Sequence, residues 1–425
     1  MTIVPFLLLC LSTLAVSAPA PTSSRWLADE FHHFDIVNKA SEGLGLYLAS
    51  QDEEQFEFEV SYRNMTLPLT LRPNLDLFTP THESSAINPR HFLIGSVSTL
   101  PGSHVRGNIV MGPNPTLEAA IILPDGMGTI RVEPAARYAH AEIHDGAMVV
   151  YHHLDERVER RRLGRRASGS GDHRKAASVV EKMKRAMQPR EGRSLHARAT
   201  NSTPTAFLPT RPCASVLVAD HSFYLQHQSI PGGVAAYAAS LFNEVGGYIS
   251  TQVSIPLQLQ YIHVSTSPGD LFETSDRNAD DVVGVVNHAM SKLPPFPGNE
   301  GNVVGIASLS TVCDKGGNSG VVSDGHGERA RRDLTAVMMH EIGHNLGSQH
   351  DDQYNDAACV PKKNQFTMFP EAEPDSTNAH AFSPCSIKAI RDRVATAQCL
   401  TGEEDELAAG ADVNPLPKVS IVDYF

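Results

Sequence analysis

The run His340-Glu341-Ile342-Gly343-His344-Asn345-Leu346-Gly347-Ser348-Gln349-His350-Asp351 constrains this chain more than any other segment. On a helix, residues four apart leave the same face, so His340 and His344 can share one ion. The spacing predicts such a helix over 334–346, with Asp333 or Thr335 as its N-cap and Val337, Met338 and Ile342 as apolar anchors. Gly347 can adopt the left-handed conformation that ends the helix and turns the chain. His350, three residues on, then closes the coordination from a third direction. Three neutral nitrogens with one open position suit a catalytic rather than a structural Zn2+. Glu341 adjoins the first ligand and cannot easily reach the same ion. It is placed to take a proton from an attacking water and pass it to a leaving amine.

The rest of the chain is read around that site. The 425 residues suffice for two compact domains and linkers. Residues 1–20 have the apolar run and small-residue end of an export signal, and no later segment approaches a membrane span. The mature chain is therefore expected to be secreted and extracellular, without stable membrane insertion. Asn64-Met65-Thr66 and Asn201-Ser202-Thr203 are glycosylation acceptor triplets consistent with that route. Cys10 leaves with the signal. Of Cys213, Cys313, Cys359, Cys385 and Cys399, most should pair and at least one is free or intermolecular.

Residues 21–156 are β-rich: Phe56 to Val60 alternates, and His91 to Val97, Leu117 to Leu123 and Ala147 to Tyr151 are strand-like runs. Residues 157–200 form a basic linker; 157–198 hold 14 Lys+Arg against 4 Asp+Glu, within a chain of net charge −13. A helical patch, Ala176 to Met187, sits inside it. Cleavage by a protease of furin type is expected after Arg165 or Arg193, each ending an Arg-x-x-Arg. Nucleic-acid binding by this strip is disfavoured, because it lacks interleaved aromatics and the flanking blocks are acidic. Residues 201–400 alternate strands and helices, as in an α/β domain with a mixed sheet. They include a strand over 214–219, a helix over 234–245 stopped by Gly246-Gly247, and a strand over 255–264 with Leu257, Leu259 and Tyr261 on one face. A helix over 279–293, a strand over 302–309 and a helix over 386–398 follow. Residues 401–425 are an acidic, disordered tail.

The extended motif resembles that of metzincin zinc proteases. His350-Asp351 with Gly343-His344-Asn345 is similar to the ADAM (adamalysin, or reprolysin) family. Met368, in Phe366-Thr367-Met368-Phe369-Pro370, matches the methionine turn that metzincins place beneath the metal. Phe382-Ser383-Pro384-Cys385-Ser386-Ile387, Pro101-Gly102-Ser103-His104-Val105 and Val132 to Tyr138 resemble the branch containing Kuzbanian and the tumour necrosis factor convertase. The resemblance implies a metzincin catalytic domain, with a mixed twisted sheet, an active-site helix and a small C-terminal subdomain, preceded by a prodomain. It assigns structural roles to Met368, Gly347 and Asp351, and implies the disulfides Cys313–Cys399 and Cys359–Cys385, with Cys213 lacking its usual partner. It also implies that an extended peptide adds along 302–309 and that 379–382 wall a pocket. No disintegrin, cysteine-rich or transmembrane part is expected after Cys399, so the family's membrane-anchored shedding is not expected to carry over directly. No prodomain cysteine survives signal removal, leaving steric occlusion as the source of latency. The implied activity is a secreted zinc metalloendopeptidase, made as a zymogen and acting on proteins or peptides. The alternative is a catalytically idle secreted binder or inhibitor of full-length relatives.

Overall fold

The computed structural model describes residues 31–37, 42–50, 54–79, 87–138, 146–156, 172–187, 211–219, 221–230, 232–267, 305–313, 320–322, 331–371 and 376–401. The signal, Arg165, Arg193, Asn201, the 279–293 helix and the acidic tail lie outside the described residues.

The N-terminal part is a single eight-stranded antiparallel sheet. In chain order its strands are β1 (Asp35–Val37), β2 (Phe56–Tyr62), β3 (Met65–Pro73), β4 (Phe92–Val97), β5 (His104–Val110), β6 (Thr116–Ile122), β7 (Thr129–Pro134) and β8 (Met148–His152). They are paired in the order β1-β8-β7-β6-β5-β4-β3-β2. In β2, Phe56, Phe58, Val60 and Tyr62 are buried while Glu57, Glu59 and Ser61 face out, the period-two signature of a half-covered strand. Side chains draw the two ends of the sheet together. Tyr62 Oη donates to Asp155 Oδ2 at 2.5 Å, Arg63 Nη2 to Asp155 Oδ1 at 2.7 Å, and Arg63 N to Asp35 Oδ2 at 2.6 Å. The Arg63-Asn64 hairpin turn has positive φ at both residues, 48° and 59°, as a two-residue turn matched to strand twist requires. Asn64 itself is exposed. Helices α1 (Glu42–Ala49) and α2 (Asp172–Met187) lend Leu44, Tyr47, Val179, Val180 and Met183 to the core under the sheet.

The C-terminal part is α/β. A parallel pair joins β9 (Cys213–Ala219) to β10 (Leu257–Val264), and an antiparallel pair joins β11 (Gly305–Ala307) to β12 (Gly320–Val322). The helices are α3 (His221–His227), α4 (Val234–Val253), α5 (Arg331–Asn345), α6 (Pro384–Val394) and α7 (Gln398–Thr401). No described helix is long and apolar enough to cross a membrane.

Several elements differ from expectation. Helix α4 runs through Gly246-Gly247 and ends at Val253, because Gly247 serves close packing instead of termination. A Cβ on Gly247 would stand 2.4 Å from Arg106 Cγ on β5. In β10 the register shifts between Leu259 and Tyr261, so Ile262 is buried and Tyr261 is turned outward. Such a bulge adds one residue and reverses the alternation beyond it. Helix α5 starts at Arg331, which places Asp333 in its first turn and Thr335 inside it, neither as N-cap. The 386–398 helix is divided into α6 and α7, and the first part begins earlier. Ser383 caps it by accepting from Ser386 N, with Pro384 in the first turn.

The two parts share a core. Leu77, Phe78, Ile87 and Phe92 pack with Phe242, Val245, Ile249 and Leu259. Phe78 forms a bridge to Leu259 of β10, and Thr79 N donates to Leu259 O at 2.9 Å. Asn74 Nδ2 donates to Asn243 Oδ1 at 2.8 Å, and Asn243 Nδ2 to Gly107 O at 3.0 Å. Buried charges span the seam. Arg131 of β7 clasps Glu244 of α4 at 2.6 Å, Arg331 of α5 reaches Glu244 at 3.0 Å and Glu118 of β6 at 3.3 Å, and Arg137 also pairs with Glu118.

Candidate metal centre

Helix α5 presents His340 and His344 from one face, and the chain returns them a third imidazole through Gly347. Gly347 has φ 109°, and its N–H bonds the His344 carbonyl at 2.9 Å. A side chain there would meet Arg393 Cβ at 2.7 Å, so both backbone conformation and space call for glycine. His350 follows as the residue preceding a short 3-10 turn, Asp351–Tyr354.

The three Nε2 atoms converge. His340 and His344 are 3.0 Å apart, His344 and His350 3.2 Å, and His340 and His350 3.3 Å. Backbone carbonyls hold two of the rings from behind: His340 Nδ1 lies 2.6 Å from Thr367 O, and His344 Nδ1 2.8 Å from Ser348 O. A carbonyl can only accept, so each Nδ1 carries the proton and each Nε2 turns a lone pair inward. Burial pushes His340 down to about 4 and lowers His344 as well, keeping both imidazoles neutral. Facing lone pairs at such distances repel unless a cation lies between them. A tetrahedral ion about 2.05 Å from each nitrogen sets nitrogen–nitrogen separations of about 3.3 Å, so the donor set fits zinc.

Glu341 is buried, and burial pushes its carboxyl up to about 8. The missing side chain of Gly305 makes room for it: a Cβ there would stand 2.2 Å from Glu341 Oε1. Beneath the centre, Met368 is fully buried and its carbonyl accepts from Asp351 N at 2.9 Å. Gly343 permits this approach, since a Cβ on it would fall 2.6 Å from Met368 Sδ and 2.9 Å from Phe382 Cε1. The Asp351 carboxylate accepts from Ser383 Oγ at 2.5 Å and Ser386 Oγ at 2.7 Å, tying the third histidine's loop to the start of α6. Burial raises the Asp351 pKa against those two bonds.

The disulfides Cys313–Cys399 and Cys359–Cys385 are formed, with Cα–Cα distances of 5.6 and 6.0 Å. Cys213 is a free thiol that burial pushes up. The segment 379–382 is held by Gln252 of α4, which donates to His380 O at 2.9 Å and accepts from Phe382 N at 2.8 Å.

Sequence reasoning had no means of finding Thr367 and Ser348, which act through their carbonyls, or Gly305, which acts through an absent side chain. Ser383 carried a readable sign, the Ser-Pro pair of a helix start.

Comparison with known proteins agrees with this geometry. Residues 209–383 match metallo-peptidase family M12, in its Reprolysin_5 form. The M12 match leaves the eight-stranded sheet outside it and takes in the whole histidine cluster and Met368. The snake venom metalloproteinase Ac1 of Deinagkistrodon acutus is 24% identical over 147 residues, which are 32% of this chain and 72% of that relative. Both similarities support a reprolysin-type metalloprotease with a metzincin-like α/β fold.

Proposed function

We propose that the chain is a secreted, zinc-dependent metalloendopeptidase made as a zymogen, and that it resembles the Kuzbanian and tumour necrosis factor convertase branch. In this reading residues 1–20 are the signal, 21–156 the prodomain, 157–200 a linker cut by a furin-type protease near Arg165 or Arg193, 201–400 the catalytic domain and 401–425 a tail. Asn64 and Asn201 are the glycosylation acceptors. The observation that carries the enzymatic part is the meeting of three imidazole nitrogens within 3.3 Å, two of them with their tautomers set by carbonyls.

His340, His344 and His350 would hold the zinc, which would lower the pKa of a bound water and polarise the scissile carbonyl. Glu341 accepts the proton of the attacking water and returns it to the leaving nitrogen as the peptide bond breaks. Its apolar surroundings raise its affinity for that proton, which suits a base that must also act as an acid. The substrate lies extended along 302–309, so that β11 brings backbone hydrogen-bonding groups beside Glu341. Residues 379–382, braced by Gln252, wall the pocket beyond the cut bond. Met368, Gly347 and Asp351 position the histidines.

The test is hydrolysis of a mixed peptide library by secreted protein processed within 157–198, with and without a chelator, beside Glu341→Ala. Chelation should abolish cleavage, and the variant should retain zinc while losing about 10²–10⁴-fold in rate. Full activity in Glu341→Ala would refute the assigned role of the carboxylate.

A further inference from the structure

We propose that Arg72, Arg106 and His104 form an oxyanion-binding site at the seam between the β sheet and α4, suited to a phosphate or sulfate group. Arg72 on β3 and Arg106 on β5 lie on either side of Ile94 of β4, each directly opposite it in register. His104 precedes Arg106 by two residues and shares its face. These residues, with Ile94, Gly95 and Val105, line a hollow of about 220 Å³. That volume suits a small anion or one charged group of a larger molecule, and is below the usual size of an organic-ligand pocket.

The hollow is lined by cations without a counter-charge. No carboxylate among the described residues pairs with Arg72 or Arg106. The hydrogen bond shown for Arg106 is from Nη2 to Ser250 Oγ of α4, at 3.2 Å. Its stem lies flat on Gly247, which leaves the guanidinium at the hollow's wall with its position set from behind. Burial and then the charge of Arg72 push Arg106 down to about 10, and burial and then Arg106 lower His104. Arg106 thus stands close enough to Arg72 and to His104 for each of those two pairs to repel. Like charges gathered in a partly desolvated hollow are a cost that an oxyanion removes, and two guanidiniums offer it paired donors. Because Arg106 is also bonded to α4, a bound anion draws the sheet and that helix together.

The test uses the full chain, with thermal midpoints and titration calorimetry in sodium phosphate, sodium sulfate and a heparin-derived sulfated oligosaccharide. Ionic strength is held constant with sodium chloride. A saturable rise in midpoint above the chloride control is expected, with affinity falling about tenfold or more in Arg72→Gln and vanishing in Arg72→Gln/Arg106→Gln. Tighter binding of the oligosaccharide than of the free ions would make a sulfated polysaccharide the source, and the reverse would make it a free ion; both support the site. Absence of any anion-specific rise, or an equal rise in the double variant, overturns it. If Arg106→Gln does not fold, the exposed Arg72→Gln alone decides, since unchanged affinity in it is equally fatal.

Discussion

A Cβ on Gly305 would stand 2.2 Å from Glu341 Oε1, and one on Gly343 would stand 2.6 Å from Met368 Sδ. The two glycines are alike in chemistry and differ in what they would displace. Glu341 presents the free end of a flexible side chain, so Gly305→Ala should move the carboxylate with little loss of fold. A drop in kcat with a thermal midpoint within a few degrees of the parent is expected. A large loss of stability would mean that the site does not yield as described. Gly343→Ala drives a methyl into a packed layer with Met368 and Phe382 behind it. Overpacking of that kind costs about 1–3 kcal/mol, which urea denaturation will read directly.

At the scale of elements, α4 makes the sharpest case. Replacing glycine by alanine inside a helix ordinarily stabilises by about 0.5–1 kcal/mol. Gly247→Ala should do the opposite, because the new methyl meets Arg106 Cγ at 2.4 Å. The loss belongs to the contact with β5, so it should appear as weaker association of the two parts once the linker is cut. Pull-down of a tagged sheet fragment after cleavage measures it. The C-terminal helices depend on covalent closure. Cys359–Cys385 spans 26 residues and Cys313–Cys399 spans 86. In the chain-entropy account these closures contribute about 3.5 and about 4.6 kcal/mol, so Cys359→Ser/Cys385→Ser should be the milder double variant in urea.

Across the whole molecule, the seam is built from buried ionisable groups. Burial pushes His152 down to about 4, lowers His153 well below its usual value, and with help from Arg131 takes His380 down to about 3. Unfolded histidines titrate near 6.5, so below that pH the unfolded chain takes up protons that the folded chain refuses. Stability from these three groups is full above pH 6.5 and falls as the pH drops toward 4. Glu156 acts with the opposite sign: burial pushes it up to about 7, so its contribution is lost as pH rises through 7. Between pH 6.5 and 4.5 the balance is about two protons, or at most roughly 2.7 kcal/mol per pH unit of weakening on acidification. Urea midpoints at pH 6.5, 5.5 and 4.5 should fall in that order, and rising midpoints would contradict it. Glu244 is held down to about 2, the upward push of burial being outweighed by Arg131 and Arg331, and it keeps its charge throughout. Glu244→Ala leaves two buried guanidiniums short of a partner and should cost about 3–5 kcal/mol.

The candidate metal centre was legible in the sequence because its information is local. The i, i+4 histidines, the turn at Gly347 and the third histidine lie within eleven residues, 340–350, and helix geometry alone brings the first two together. The strands of the sheet were legible for the same reason, since Phe56 to Tyr62 states its buried face by alternation. Tertiary structure decided whatever depended on a neighbour remote in the chain. The pair Gly246-Gly247 has the local form of a helix stop, but Arg106 packs on Gly247 and the helix continues; Tyr261 has the local form of an inward residue, and the bulge turns it out. Arg106 with Arg72, and Arg131 with Glu244, are separated by 34 and 113 residues and carry no local mark of meeting. Periodicity reports which face a residue shares with its near neighbours; only the packed fold brings a distant charge or backbone to that face.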